Sequence, residues 1–175
     1  MTTDLEKSFK AKLRAIAKEK NRDPADLWQT LTLERFLVRL ANSKYRDQFV
    51  LKGGILLSKY LEIGRETTDL DFLAKKISNQ VSSLQVIFEE IAAIDLNDGF
   101  IFKEAKASEL THHHMGYPGV EISMMAYFGS TRLVLEIWLM LLHLKLGLQT
   151  IQKVIFLKIA LSWLAIQKNS SLLQS

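Results

Sequence analysis

The sequence predicts an α+β fold in which a small mixed sheet is flanked by helices that cover one face. Three observations predict it. Apolar residues recur at helical spacing in separate segments, short runs of β-type composition follow them, and a Gly129-Ser130 turn joins two of those runs as a hairpin.

From Leu5 to Lys20 the apolar positions Leu5, Phe9, Leu13 and Ile16 fall every three or four residues, which is the helical period. Asn21 to Pro24 breaks that pattern. Asp23 there can cap a second helix whose first position is Pro24 and which runs to Ser43, carrying Leu27, Leu31, Phe36, Leu37 and Leu40. Phe49 to Leu61 is apolar, with Gly53 and Gly54 near its start, and Gly64 to Thr68 turns the chain into Asp69 to Leu73. That segment, bounded by turn residues and by Lys75 and Lys76, reads as a strand. Gln80 to Ile94 sets Val81, Leu84, Ile87, Phe88 and Ile91 on one face and is a further helix. Asn97 to Gly99 is a turn, and Phe100 to Phe102, Val120 to Phe128 and Thr131 to Ile137 have strand composition.

Composition narrows the function classes. A chain of 175 residues with 48% hydrophobic content can build one real core. The formal charge of +4 and the pI near 9.2 favour a polyanion partner, although a modest basic excess also suits a plain solvated surface. The chain has no cysteine, which excludes disulfides, thiolate catalysis and Cys-ligated zinc and suits the cytoplasm. Met1 to Lys10 mixes Asp4, Glu6, Lys7 and Lys10 with no apolar h-region, so no secretory signal is expected. The apolar stretches Leu133–Leu148 and Val154–Ile166 are each shorter than the roughly 20 residues of a membrane span, and Glu136, His143, Lys145 and Lys158 interrupt them, so no membrane helix is expected.

The segment most informative about chemistry is Lys52-Gly53-Gly54 followed, after Ile55 to Gly64, by Arg65-Glu66-Thr67-Thr68-Asp69-Leu70-Asp71. Alternate side chains of a strand share a face, so Asp69 and Asp71 point one way while Leu70 enters the core. Two carboxylates on one face suit Mg²⁺, which takes oxygen ligands and usually one or two carboxylates plus substrate phosphates. Two glycines let backbone N–H groups approach a triphosphate, while Thr67 or Thr68 can add a hydroxyl and Arg65 and Lys52 positive charge. Each piece alone is common: D-x-D is frequently a solvated strand end, and a Gly pair is frequently turn punctuation.

The combination of G-G, a gap of fourteen residues and D-x-D preceded by R-x-T resembles the signature of the AbiEii/AbiGii toxin family of nucleotidyltransferases. Phe49-Val50-Leu51-Lys52-Gly53-Gly54 and Tyr117-Pro118-Gly119-Val120 extend the resemblance, which covers residues 1 to about 137. It implies a nucleotidyltransferase-like domain from the toxin half of bacterial toxin–antitoxin and phage-defence systems. Such a domain moves a nucleotide from an NTP to an acceptor, with tRNA as an expected acceptor, Mg²⁺ as cofactor and a cognate antitoxin as partner. On the matching positions it implies Asp69 and Asp71 as catalytic and metal-binding carboxylates and Lys52, Gly53, Gly54, Arg65, Thr67 and Thr68 as nucleotide-binding residues. Leu135-Glu136-Ile137 stands where the family carries its third carboxylate, so Glu136 is a catalytic candidate; the plain alternative is a solvent-facing Glu in a hairpin. Ile55 departs from the family's Thr or Ser after the glycines, which removes one phosphate contact.

The remaining polar clusters and aromatics have bland readings. His112, His113 and His114 are consecutive and cannot all face one ion in regular structure, which favours a solvated loop. Lys75 and Lys76 read as a solvated strand end, and Trp28, Tyr45 and Tyr127 as core or interface aromatics.

From Ile137 to Ser175 the sequence contains no Asp, Glu, Arg or Pro, and the resemblance ends there. Residues 1–137 are therefore expected to form an incomplete nucleotidyltransferase-like domain and residues 138–175 an atypical apolar tail. A frameshift is the expected cause of the break. Leu164 to Gln174 can be encoded by bases that in another frame read A-S-Y-P-K-E-F-I-I-A-A, which resembles the family's Y-P-x-E-x-x-x-A segment. On that account the alternative to an active transferase is a truncated, catalytically inactive remnant that at most binds a partner such as an antitoxin.

Overall fold

A computed structural model describes residues 4–52, 69–75, 77–78, 80–110 and 119–141. Among these, helix α1 (Asp4–Glu19) and helix α2 (Pro24–Ala41) come first. A 3₁₀ turn (Arg46–Gln48) then leads into strand β1 (Phe49–Lys52). Strand β2 (Asp69–Ala74), helix α3 (Val81–Ala92) and strands β3 (Phe100–Leu110), β4 (Gly119–Phe128) and β5 (Thr131–Leu141) follow. The strands form one sheet in the order β1-β2-β5-β4-β3, with β2 and β5 parallel and the other neighbours antiparallel. The fold is the expected α+β architecture with a mixed sheet.

Local chemistry explains the helix ends. Asp23 accepts a hydrogen bond from the Ala25 backbone N–H at 2.8 Å, with Pro24 next to it as the first helical residue, so α2 starts where sequence reasoning put it. On α1 the buried ridge is Leu13 and Ala17, preceded by Phe9, which packs on Trp28 and Phe128 at ring-centroid distances of 5.6 and 4.7 Å. Ile16, expected on that face, is exposed. The core-facing row follows i, i+4 spacing from Phe9, and Ile16 falls one residue short of it.

The sheet buries one face against the helices. Leu70, Phe72, Ile122, Met124, Leu135, Ile137 and Leu139 are buried, while Asp69, Asp71, Ser123, Glu136 and Trp138 alternate with them. Phe88 of α3 stacks on Phe36 of α2 at 5.9 Å and meets Phe49 of β1 edge-on at 5.4 Å. Phe49 in turn meets Phe72 of β2 at 5.9 Å, so aromatic contacts run from the helices into the strand that carries the Asp pair.

Two strands outrun their expected limits. β3 was expected over Phe100–Phe102 and continues to Leu110 through a bulge between Lys103 and Lys106, where Glu104 takes φ +59°. The extra residue shifts the inward phase from Phe102 to Ala105, which hides the alternation from a period-two reading. β5 passes Ile137 and runs to Leu141. Trp28 belongs to the ring cluster with Phe9, Phe100 and Phe128, whereas Tyr45 and Tyr127 are half-buried and donate hydrogen bonds to Glu90 and Glu104, each at 2.8 Å. Lys75 lies just past β2 and donates its backbone N–H to Gln48.

The β4–β5 hairpin is tied to α1. Gly129 takes φ +56° while Ser130 stays outside positive φ, the pattern of a two-residue II′ turn, and a Cβ on Gly129 would collide with the Glu6 carboxylate. Glu6 is 4% exposed and accepts hydrogen bonds from the Ser130 backbone N–H and hydroxyl at 2.9 and 2.8 Å and from the Lys10 ammonium at 2.6 Å. The Lys10 hydrogen bond first, and the Ser130 N–H second, hold its carboxyl down at about 2 against an ordinary value of 4.5. A depressed folded value means that this stabilisation is fully present above about 4.5 and fades as pH falls toward about 2. Glu6→Gln is expected to flatten the acid limb of the stability curve between those values. An acid limb identical to that of the unsubstituted protein would overturn this account.

Candidate active site

β2 lies between β1 and β5, and its alternation sends Leu70, Phe72 and Ala74 into the core and Asp69 and Asp71 to the opposite face. Residues directly opposite across strands share a face, so the register sets out two rows. One row runs Lys52, Asp71, Trp138, Glu121 from β1 to β4, and the other runs Asp69, Glu136, Ser123, Lys106 from β2 to β3. Neighbouring strands lie roughly 4.8 Å apart, so each residue in a row adjoins the next.

The electrostatics follow from this crowding. Partial burial pushes the Asp71 carboxyl above its ordinary range, the charge of Asp69 pushes it further, and the Lys52 ammonium opposes both. Lys52 is itself half-buried, and its Nζ lies 3.7 Å from the Met140 Sδ of β5. Two carboxylates that repel each other on one face form an oxygen donor pair that a divalent cation relieves, so the residues present fit Mg²⁺. Among the described residues no three His, Asp or Glu side chains converge as a metal cluster, so Glu136 adjoins Asp69 in register without joining the pair in such a cluster.

Of the residues singled out in the sequence, Asp69, Asp71, Glu136 and Lys52 are brought to one face of the sheet. Gly53, Gly54, Arg65, Thr67 and Thr68 lie outside the described residues, as do Ile55, His112, His113, His114, Lys76 and residues 142–175. Sequence reasoning missed Trp138, the register partner of Asp71, because the strand was ended one residue before it. Its spacing of two from Glu136 was the available signal. Among the described residues no helix is long and apolar enough to cross a membrane.

Comparison with known proteins agrees with the motif. The family model described as "Nucleotidyl transferase AbiEii toxin, Type IV TA system" matches residues 35–141, more than half of the chain and a span that includes every strand described above. No curated protein matches the chain. Among solved structures, the crystal structure of a candidate nucleotidyltransferase from H. pylori is similar at 17% identity and a TM-score of 0.41, over 67% of this chain and 46% of that one. The chain thus spans less than half the length of that protein.

Proposed function

The chain belongs to the AbiEii family of nucleotidyl transferase toxins, and from that premise we propose that it transfers a nucleotide from an NTP to the hydroxyl of an acceptor RNA, with tRNA as the acceptor and Mg²⁺ as the cofactor. The observation that carries the reading is the pair Asp69 and Asp71 on one face of β2, with the Asp71 carboxyl pushed up by burial and by its neighbour. Asp69 and Asp71 hold the cation, and Mg²⁺ when bound neutralises charge on the triphosphate and on the departing pyrophosphate.

The chain's own groups do the remainder. Lys52, paired with Asp71 across β1 and β2, supplies positive charge beside the phosphates, with Arg65 as a second cation. Gly53 and Gly54 offer backbone N–H groups to the phosphates, and Thr67 or Thr68 a hydroxyl. Glu136, exposed and paired with Asp69, takes the proton of the attacking hydroxyl. A cognate antitoxin and a role in phage defence in the cytoplasm complete the proposal.

A second reading, the inactive remnant that at most binds a partner, is favoured by the absence of Asp and Glu from the sequence after Glu136. Binding of labelled NTP by the full chain, with and without Mg²⁺, separates the two. The transferase is expected to bind NTP only with the cation. No binding in either condition would sink it and leave the remnant.

A further inference from the structure

We propose that Lys103, Lys106 and Arg132 bind the phosphate backbone of a single-stranded RNA end on the open face of the sheet and lead its terminal hydroxyl to Glu136 and Asp69. The inference rests on the nucleotide-transfer reading above and adds to it the surface that receives the acceptor.

A β-bulge makes this surface. Residues three apart in a regular strand point to opposite faces, which would send one of Lys103 and Lys106 toward the core. The bulge sets Glu104 and Ala105 against the single residue Met124, so that Lys103 pairs with Met125 and Lys106 with Ser123. Met125 and Ser123 alternate with the buried Ile122, Met124 and Ala126, and both lysines therefore stand on the face that carries Glu136 and Asp69. Glu104 takes φ +59° at the bulge, a left-handed conformation that disfavours a residue with a Cβ. On β5 the alternation brings Arg132, the partner of Tyr127, to the same face.

Charge on this face is segregated. All three cations are exposed, and among the described residues none of them forms an ion pair. Glu104, the carboxylate beside them, accepts the Tyr127 hydroxyl at 2.8 Å. The other acids of the face, Asp69, Asp71, Glu121 and Glu136, occupy the two rows through Asp69 and Asp71. Lys106 ends the row Asp69, Glu136, Ser123, Lys106, three strands and roughly 14 Å from Asp69. Cations that far from the Asp pair serve anions other than the triphosphate held there, and the acceptor strand is the substrate that carries phosphates in series. Partners two residues apart set Lys103 and Lys106 roughly 7 Å apart along the sheet, a step suited to successive phosphates of an extended strand. The exposed Val134 and Ile101, in the rows of Lys103 and Arg132, offer apolar surface to its sugars and bases.

The test uses the full chain with Mg²⁺ and two probes, a short single-stranded RNA and an NTP. Changing Lys103, Lys106 and Arg132 together to Gln is expected to weaken RNA binding by about tenfold or more and leave NTP binding unchanged. Each phosphate contact on a single strand adds about 0.7 to the slope of log affinity against log salt, so that slope should fall by about 2. Lys103→Arg combined with Lys106→Arg keeps the charge. It should bind RNA within a few-fold of the unsubstituted protein and with the same slope.

RNA binding and a salt slope that survive the triple change overturn the surface and leave the transferase reading standing, as does an equal loss of RNA and NTP binding. An unsubstituted protein that binds NTP but no RNA also overturns the surface alone. RNA binding that the triple change weakens, in a chain that binds no NTP, keeps the surface and overturns the transferase. Binding of neither probe overturns both.

Discussion

Asp69→Ala is expected to reduce transfer of labelled nucleotide to RNA by about three powers of ten or more, while the protein stays folded. Placing a divalent cation on a reacting phosphate is worth several kcal/mol of transition-state stabilisation, and about 1.4 kcal/mol corresponds to tenfold in rate. Nothing in the fold depends on the substituted group in the same way, because Leu70 and Phe72, not the acids, fill the core between them. Asp71→Asn is the sharper variant. Burial and the neighbouring Asp69 hold the Asp71 carboxyl above its ordinary range, so the folded state pays for ionisation at neutral pH. Removing that charge should abolish transfer yet hold or raise the Tm, a trade of stability against activity. Thermal unfolding alongside the transfer assay checks both halves, and undiminished transfer by Asp69→Ala would refute the assignment of the pair.

The largest stability effect is expected at Arg39 and Asp98. Arg39 is 1% exposed, donates to both Asp98 carboxylate oxygens at 2.9 and 2.8 Å and to the Phe100 carbonyl at 2.7 Å, and lies over the Phe102 ring at 4.8 Å. Its Nε is buried without a hydrogen-bond partner, so the guanidinium depends on that fork. Removing one member of such a pair strands the other charge out of water, at a cost of about 3–5 kcal/mol. Asp98→Ala should therefore be worse than Arg39→Met, because Asp98 retains some access to water when left alone and Arg39 does not. For a domain of this size the loss lowers Tm by on the order of 10 °C. Arg39→Lys should not rescue, since an ammonium cannot reproduce the bidentate fork, and Arg39→Met combined with Asp98→Ala should cost less than the two single changes added together. Urea unfolding of the four variants decides it; an Asp98→Ala protein as stable as the parent would show that the pair is dispensable.

Much of the fold was legible because it is written in short-range chemistry. The Asp23-Pro24 start of α2, the Gly129-Ser130 turn and the alternation of Asp69, Leu70 and Asp71 each depend on neighbours within a few residues. The length of β3 was not legible, because the bulge at Glu104 breaks the period on which strand reading depends. The far end of β5 was hidden differently. Trp138, Leu139, Met140 and Leu141 continue an apolar run in which a half-buried strand shows no polar alternation. Arg39 stood as a charge in an apolar helix segment whose partner, 59 residues away, no local pattern can name.

The sequence by itself determined the helix starts, the hairpin and the common face of Asp69 and Asp71, because a dihedral preference or a side-chain period acts over one or two turns of chain. Only the tertiary structure decided that Glu136 adjoins Asp69, that Lys52 and Trp138 bracket Asp71, and that Asp98 neutralises Arg39. Those pairings join segments far apart in the chain. Register between the strands is set by which side chains the core accepts, and a slip of one residue would have turned Lys52, Glu136 and Trp138 to the other face.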